Sequence, residues 1–403
     1  MYNFDVVIVG AGPAGGHCAR LLTKAGNRVL LIEKFRDFSR NSFSSAGAPL
    51  EIMTKFDLPE SIVGSYWNRF AIVSSNNKGV WQSEKNQGVV LDFTKLRQFL
   101  ADEVKNNHGE VWMGCRYVSH VQNDQEIMIT IKNNLLDRTE KVTAKLLVDA
   151  TGSKRAIMGR KGEKKPEFVK ATGVEYLIKV DDEVYKKNAN TLTFLLGYKW
   201  IPKGYSWVFP MEKNFLKVGG GLIYRPHEII KNVNSIEYYI NLLIKDYLQL
   251  DSYEIIDKHG ESLLYSPGLQ DEYLDGRIIA IGDTVSTVNP LGGEGIRHAM
   301  VSAEIAYKHI DKFLKGEIKV LDGYKQEMYS VFLNIWKISE KMAQRKYLQQ
   351  GDILVDKFVS SFKSMSLEEI VDILFYYKFK TLSKNVGLYF WQKLKSKILS
   401  IFS

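Results

Sequence analysis

The chain has 403 residues, 45% of them hydrophobic and 25% charged, with a net charge of +9. That is enough to bury a large core in two or three subdomains, and it excludes a disordered or low-complexity polymer. The two cysteines, Cys18 and Cys115, form no CxxC and adjoin no histidine cluster, so neither a disulfide framework nor a metal site is indicated.

The first predicted element is the short, apolar, β-branched strand Asp5-Val-Val-Ile-Val9. It leads into Gly10-Ala-Gly-Pro-Ala-Gly15, and Ala14 to Ala25 then reads as a helix on which Cys18 is a packing residue. In a strand, glycine turn and helix of this kind, Gly10 permits the sharp turn, Gly12 lets backbone approach a pyrophosphate, and Gly15 lets helix pack closely on strand. Pro13 and Ala14 open the helix, whose N-terminus offers unpaired N–H groups and partial positive charge to phosphate. The next strand, Arg28 to Ile32, ends in Glu33, a carboxylate able to accept hydrogen bonds from both hydroxyls of an adenosine ribose and to repel a 2′-phosphate.

Further along, Asp92-Phe-Thr-Lys-Leu-Arg-Gln-Phe-Leu100 opens a helix with Asp92 or Thr94 as its cap. Cys115 to Val121 is a strand, and Leu146-Leu-Val-Asp-Ala-Thr-Gly152 is another that ends in a turn. From about 165 to 270 the pattern changes to alternating strands: Phe168 to Val180, Thr191 to Leu196, Tyr205 to Pro210 and Phe215 to Ile223. Turns at Pro202-Lys-Gly204 and Glu212-Lys-Asn214 make this an antiparallel sheet, placed to roof a cofactor and shape a substrate cavity. Tyr205, Trp207 and Phe209 recur at period two, so they share one face. Periodicity alone fits a sandwich core strand as well as a cavity wall. Lys217-Val-Gly-Gly-Gly221 has no following helix and belongs to a hairpin, which leaves one dinucleotide fingerprint. Gly276 to Asp283 is a buried strand ending in Gly282-Asp283, and Gly295 to Ile310 is a helix starting in a glycine-rich loop.

That loop, Ile281-Gly-Asp-Thr-Val-Ser-Thr-Val-Asn-Pro-Leu-Gly-Gly-Glu-Gly-Ile-Arg-His-Ala-Met300, resembles the second FAD motif of the group that includes aromatic hydroxylases and geranylgeranyl reductases. Tyr205-Ser-Trp-Val-Phe-Pro210 resembles the Tyr-x-Trp-x-Phe-Pro motif of geranylgeranyl reductases, and with the two FAD motifs the resemblance covers residues 1 to about 310. It implies FAD as cofactor, Asp283 on the ribityl chain, and Gly282, Pro290, Gly293, Glu294, Gly295 and Ile296 around the flavin. The helix that starts there would stabilise negative charge on the reduced ring. It also implies Arg97 near the ribityl or pyrophosphate, Val118 against adenine through its backbone, and Tyr205, Trp207, Phe209 and Pro210 bordering an isoprenoid cavity. An aromatic wall suits a polyene with few polar handles.

The implied fold is α/β: a Rossmann-type FAD-binding domain (1–65, 91–165 and 271–315), an inserted antiparallel β-sheet substrate domain (66–90 and 166–270), and a helical C-terminal region (316–403). The implied reaction is hydride transfer from reduced flavin to an isoprenoid C=C, with a proton added at the other carbon and electrons drawn from NAD(P)H or an acidic reduced electron carrier. One departure stands out. Asn41-Ser-Phe-Ser-Ser-Ala-Gly-Ala-Pro49 lacks the cysteine that many members carry there, and Ser44 or Ser45 is a poor proton source. Protonation by solvent, a different alkene and a loss of reductase chemistry all stay open. The other readings are a flavin monooxygenase, a halogenase (whose Trp-x-Trp-x-Ile-Pro segment Tyr205 and Phe209 do not match) and a redox-neutral isoprenoid cyclase or non-enzymatic flavoprotein.

The positive charge has no zinc finger, repeat or aromatic-basic platform to accompany it, so nucleic acid is not expected. Six lysines (378, 380, 384, 393, 395 and 397) and no acid lie between Tyr376 and Ser403. As a helix, 388–402 puts Leu388, Trp391, Leu394, Ile398, Ile401 and Phe402 on one face, the pattern of either an interfacial membrane helix or a terminal helix docked on the core. With the cofactor strand at the start and no 18-residue apolar run, the expectation is a cytoplasmic protein with peripheral membrane contact through its C-terminus.

Overall fold

A computed structural model of the chain describes residues 2–39, 44–160, 167–225, 228, 233–348 and 351–380. The N-terminal run forms the strand Tyr2–Val9, paired in parallel with Val29–Glu33 on one side and Arg138–Asp149 on the other. Glu110–Met113 and Ile278–Ala280 extend the parallel set at its two ends. Strands covered on both faces need consecutive apolar residues, and Val6 to Val9 and Val29 to Ile32 are all buried. The helix Pro13–Lys24 packs against both Phe93–Asn106 and Ile296–Leu314. Asp92 caps the second of these, accepting the Lys95 N–H at 3.0 Å, while the Thr94 hydroxyl donates to the Phe38 carbonyl instead. Residues 276–283 are not one strand: after Ile278–Ala280 the chain enters a 3-10 turn, Gly282–Val285, because Gly282 adopts a φ of +63° that no strand continues through.

The second sheet contains the four expected strands as Val169–Lys179, Thr191–Leu195, Gly204–Pro210 and Phe215–Tyr224. Three others join it: Glu254–Tyr265 beside Val169–Lys179, and Arg69–Val73 with Lys78–Gln82 at the far edge. It is not purely antiparallel. Thr191–Leu195 runs parallel to Arg69–Val73, since a strand arriving from a distant part of the chain has no hairpin to set its direction. Alternation sorts the faces. Tyr176, Ile178, Val208, Leu216 and Val218 pack under the helix Ile236–Asp246, whereas Trp207 and Phe209 turn inward, toward the helices Asp352–Phe362 and Leu367–Leu374. No described helix is long and apolar enough to cross a membrane. The predicted terminal helix 388–402, with Lys384, Lys393, Lys395 and Lys397, lies outside the described residues.

The chain leaves the first sheet at Asp149, whose buried carboxylate accepts four hydrogen bonds, from the Thr151 N–H and hydroxyl and from the Ile157 and Met158 N–H groups. Asp149→Ala orphans those donors. It is expected to cost about 3 kcal/mol or more, read as a lower denaturation midpoint at unchanged slope; a cost under 1 kcal/mol would mean that water replaces the carboxylate.

Candidate active site

Three stretches of chain meet around a cavity of about 310 Å³. Gly12, Pro13 and Ala14 form one wall, and Asp283, Pro290, Gly293, Gly295 and Ile296 another. Tyr205 and Trp207 come from the second sheet together with residues of Val169–Lys179, Phe215–Tyr224 and Glu254–Tyr265, and Ser44, Ser45 and Phe93 also lie on the boundary. Two helix N-termini thus open onto one space. Pro13–Lys24 is capped by Gly12 and Ile296–Leu314 by Gly295, neither with a side-chain capping bond, so their first-turn N–H groups and partial positive charge are free to face an anion.

The glycines fit that reading. Gly10 has a φ of +105°, and a Cβ there would lie 2.3 Å from the Ala150 carbonyl oxygen; at Gly15 it would lie 1.9 Å from that of Gly10. Gly12 has no protein atom within 4 Å of its would-be Cβ, so the space beside it belongs to the cavity. Glu33 is buried; its carboxylate accepts N–H groups of Ala11 at 3.0 Å and Phe35 at 3.1 Å. Burial pushes the Asp283 carboxyl up, against the pull of Arg155 and the Thr287 hydroxyl. These residues fit FAD: a glycine turn for the pyrophosphate, Asp283 on the cavity lining and two positive helix ends; Glu33 is off that lining, its carboxylate taken up by the Ala11 and Phe35 N–H groups.

Not every expected residue lies on this cavity. Arg97 is buried, donates to the Phe38 carbonyl and packs on Phe38 and Phe93; burial lowers its proton affinity against the attraction of Glu33 and Asp37. It stands at the Glu33 end and not on the cavity lining. Val118 falls at a β-bulge, between Ser119 opposite Thr130 and Tyr117 opposite Ile131. Glu294 is not on this cavity's lining and borders the adjoining one instead. Arg297 donates to the two Glu294 carboxylate oxygens at 2.6 and 2.9 Å, and the Tyr377 hydroxyl donates to one of them at 2.9 Å. Burial opposes ionisation of Glu294, yet these partners and His298 hold its carboxyl below the usual range. Pro210 ends its strand, with its carbonyl accepting the Ser65 hydroxyl at 2.7 Å, and lines neither this cavity nor the next.

A second, mostly apolar cavity of about 90 Å³ adjoins the first, lined by Phe70, Ile72, Leu192, Phe194, Phe209 and Leu374, with Glu294 and Arg297 also on its boundary. The two share Ser44, Ser45, Tyr205, Gly293, Gly295 and Ile296. Tyr205 is therefore part of a partition. Its hydroxyl, pushed up to about 12 by burial, donates to the Gly292 carbonyl at 3.0 Å. Trp207 lies across the neighbouring strand only because position 219 is glycine, where a Cβ would be 2.3 Å from the indole Cζ2.

Behind this wall lie two buried charges that periodicity did not single out. Glu175 accepts the Trp207 indole N–H at 2.8 Å; Lys217 donates to the carbonyls of Ser44 at 2.8 Å and of Ser45 and Leu91 at 3.4 Å. Burial raises the Glu175 carboxyl and lowers the Lys217 ammonium, each against the pull of the other. Neither strand's sequence alone signals this, since Val169–Lys179 also contains Lys170, Thr172 and Lys179.

The fold and the cavity define an FAD-dependent oxidoreductase. A family model described as the FAD binding domain matches residues 3–215, and one described as the geranylgeranyl reductase catalytic domain matches 171–261. The chain belongs to the geranylgeranyl reductase family. The digeranylgeranylglycerophospholipid reductase of Haloferax volcanii is 27% identical over 373 residues, covering 86% of this chain and 85% of its own. Digeranylgeranylglycerophospholipid reductase 1 of Methanococcoides burtonii is 24% identical over 412 residues, covering 98% and 97%. A geranylgeranyl bacteriochlorophyll reductase-like structure from Thermoplasma acidophilum superposes with a TM-score of 0.79 at 22% identity, over 96% of this chain and all 100% of that one, and so shares the fold.

Two substitutions test the site. Gly12→Val meets no protein atom, so the chain should fold with a melting temperature near that of flavin-free wild type yet purify colourless; stoichiometric FAD in the variant would put the pyrophosphate elsewhere. Lys217→Met strands Glu175 without its countercharge and frees the loop at Ser44, for a loss of about 3 kcal/mol by denaturant unfolding. The double variant Lys217→Met/Glu175→Gln should lose less than Lys217→Met alone, because no unpaired charge stays buried; additive losses would show that the two charges are not coupled.

Proposed function

We propose that the chain saturates C=C bonds of a polyprenyl chain, one hydride and one proton per bond. The observation that carries this is the apolar cavity separated from the cofactor cavity by a partition one side chain thick. Bound FAD, once reduced, supplies the hydride. The rest falls to the chain's own groups. Gly10, Gly12, Pro13, Ala14 and Gly15 would hold the pyrophosphate, Glu33 and the backbone at Val118 the adenosine end, and Arg97 the approach between them. Asp283 would take the ribityl hydroxyls, with Gly282, Pro290, Gly293, Gly295 and Ile296 around the ring.

Phe209 and Phe194, with ring centroids 5.2 Å apart, give the prenyl chain an apolar seat; Tyr205, shared by both cavities, orients it, and Trp207, 5.8 Å from Tyr205, borders the cofactor cavity. Ser44 and Ser45 place hydroxyls at that partition. Neither is acidic, so the proton is drawn from solvent passing along them. Electrons arrive from NAD(P)H or a reduced electron carrier, and the basic C-terminus brings the chain to the lipid that contains its substrate.

Mass spectrometry of lipid, quinone and carotenoid extracts from cells with and without the protein tests the reading. A gain of two hydrogens per bond supports it, whereas an added oxygen or an isomer of unchanged mass replaces it with hydroxylation or cyclisation. Within the site, Trp207→Ala should lower turnover of a long prenyl chain about tenfold, near 1.4 kcal/mol of barrier, at unchanged FAD per chain, and Trp207→Phe should recover most of it. If FAD content falls in step with activity, Trp207 is core and not wall.

A further inference from the structure

Glu175 and Lys217 are buried at inward positions of the second sheet, and the proposed reaction gives neither of them a role. On adjoining strands Glu175 stands opposite Gly219 and Lys217 opposite Leu177, which makes the two charges diagonal neighbours on one face. Trp207 stands opposite Gly219 from the other side. Because Gly219 has no side chain, the indole crosses the intervening strand and donates to Glu175 at 2.8 Å.

Lys217 reaches a different part of the wall. Its ammonium donates to the carbonyls of Ser44, Ser45 and Leu91, and the Leu91 N–H donates to the Ala46 carbonyl at 3.0 Å, so one cation gathers the Ser44–Ser45 loop onto the end of strand Gly88–Leu91. The neighbouring charges support both ions: Asp92 attracts Lys217, and His259, held by Asp257 at 2.7 Å, lies opposite Glu175 and favours its carboxylate.

Stability does not call for this arrangement, since apolar side chains of similar volume often serve as well as a buried ion pair. What apolar side chains cannot supply is directional bonds. Here those bonds run from one pair to Trp207 and to Ser44 and Ser45, all on the boundary of the cofactor cavity, and the two serines also bound the second cavity. Spacing matters at such a boundary, because a misplacement of about 1 Å can slow a transfer step about a hundredfold.

We propose that Glu175 and Lys217 are positioning residues for hydride transfer, holding the Trp207 ring and the Ser44–Ser45 loop at the spacing that aligns a prenyl C=C with the reduced flavin. This rests on the isoprenoid reading and assigns its alignment to two groups that touch neither flavin nor alkene.

The test uses the full-length FAD-loaded variant Lys217→Met/Glu175→Gln, which removes both charges together and keeps an acceptor for the Trp207 N–H. After anaerobic reduction with stoichiometric dithionite, its flavin should be reoxidised by a saturating long-chain prenyl alcohol in detergent micelles about tenfold or more slowly than that of wild type. Reoxidation by dioxygen, which needs no aligned alkene, should match wild type. Equal rates with the prenyl alcohol overturn the proposal, and so does an equal slowing with dioxygen, which would mean that the pair acts on the flavin itself. Crystal structures of the two FAD-loaded proteins give a readout without substrate: Ser44 and Ser45 should move relative to Trp207 by about 1 Å or more, and an unmoved loop overturns the proposal. If neither protein reduces the alcohol, the isoprenoid reading falls, and the crystal structures decide the spacing role by themselves.

Discussion

Gly282 has no side chain, and the site depends on that. A Cβ at this position would come 2.7 Å from the Cβ of Ala14, so only glycine lets the turn after Ile278–Ala280 close onto the start of helix Pro13–Lys24. That contact brings together the segments that follow Tyr2–Val9 and Ile278–Ala280, the strands on either side of Arg138–Asp149, and with them the two uncapped helix N-termini. Each alone would be an ordinary anion site. Held side by side, they leave an elongated space with positive ends, shaped for a ligand that has a pyrophosphate at one point and an electron-accepting ring at another. The surrounding glycines have no slack to lose, because Gly10 and Gly15 sit against main-chain oxygens.

The second sheet sets a separate cavity beside this space, with large side chains between the two. Tyr205 is anchored at its hydroxyl to the glycine-rich loop and stacks near Tyr347, whose own hydroxyl donates to the Leu291 carbonyl at 2.7 Å. Trp207 is anchored at its N–H to Glu175. These polar tethers fix large rings without filling either cavity. They come at the expense of buried charge, since Glu175 and Lys217 lose hydration that their mutual attraction offsets only in part. Lys217 spends its donors on the Ser44, Ser45 and Leu91 carbonyls and so ties the partition loop to the sheet.

Much of this was legible in the sequence for a physical reason: short-range patterns encode what short-range sterics require. Glycine spacing marked the first turn, β-branched runs the parallel strands, and period two placed Tyr205, Trp207 and Phe209 on one face. Glu254–Tyr265 was missed because Asp257, Lys258 and Glu261 interrupt its apolar pattern; it is an edge strand with a wet face, so alternation is weak. The parallel pairing of Thr191–Leu195 with Arg69–Val73 leaves no local trace, since the partners are joined through the tertiary fold. The inward roles of Glu175 and Lys217 depend on which strand lies beside which, and a single strand's sequence does not contain that.

The orientation of Glu294 follows from the same electrostatics. A carboxylate facing the cavity from the loop that starts helix Ile296–Leu314 would cancel the positive helix end and repel negative charge on any ring bound there. The chain instead folds Glu294 back onto Arg297, and Arg297 reaches on to Glu51 at 3.2 Å and to the Phe375 carbonyl. Tyr377 closes the cluster. One buried ion pair therefore keeps the Glu294 carboxylate off the first cavity, leaving Asp283 beside Gly295, and fastens the helix end to the segment that carries Leu374 and Phe375, which line the second cavity. The two cavities are thus joined through the same pair, since Arg297 ties the loop before helix Ile296–Leu314 to the Phe375 carbonyl.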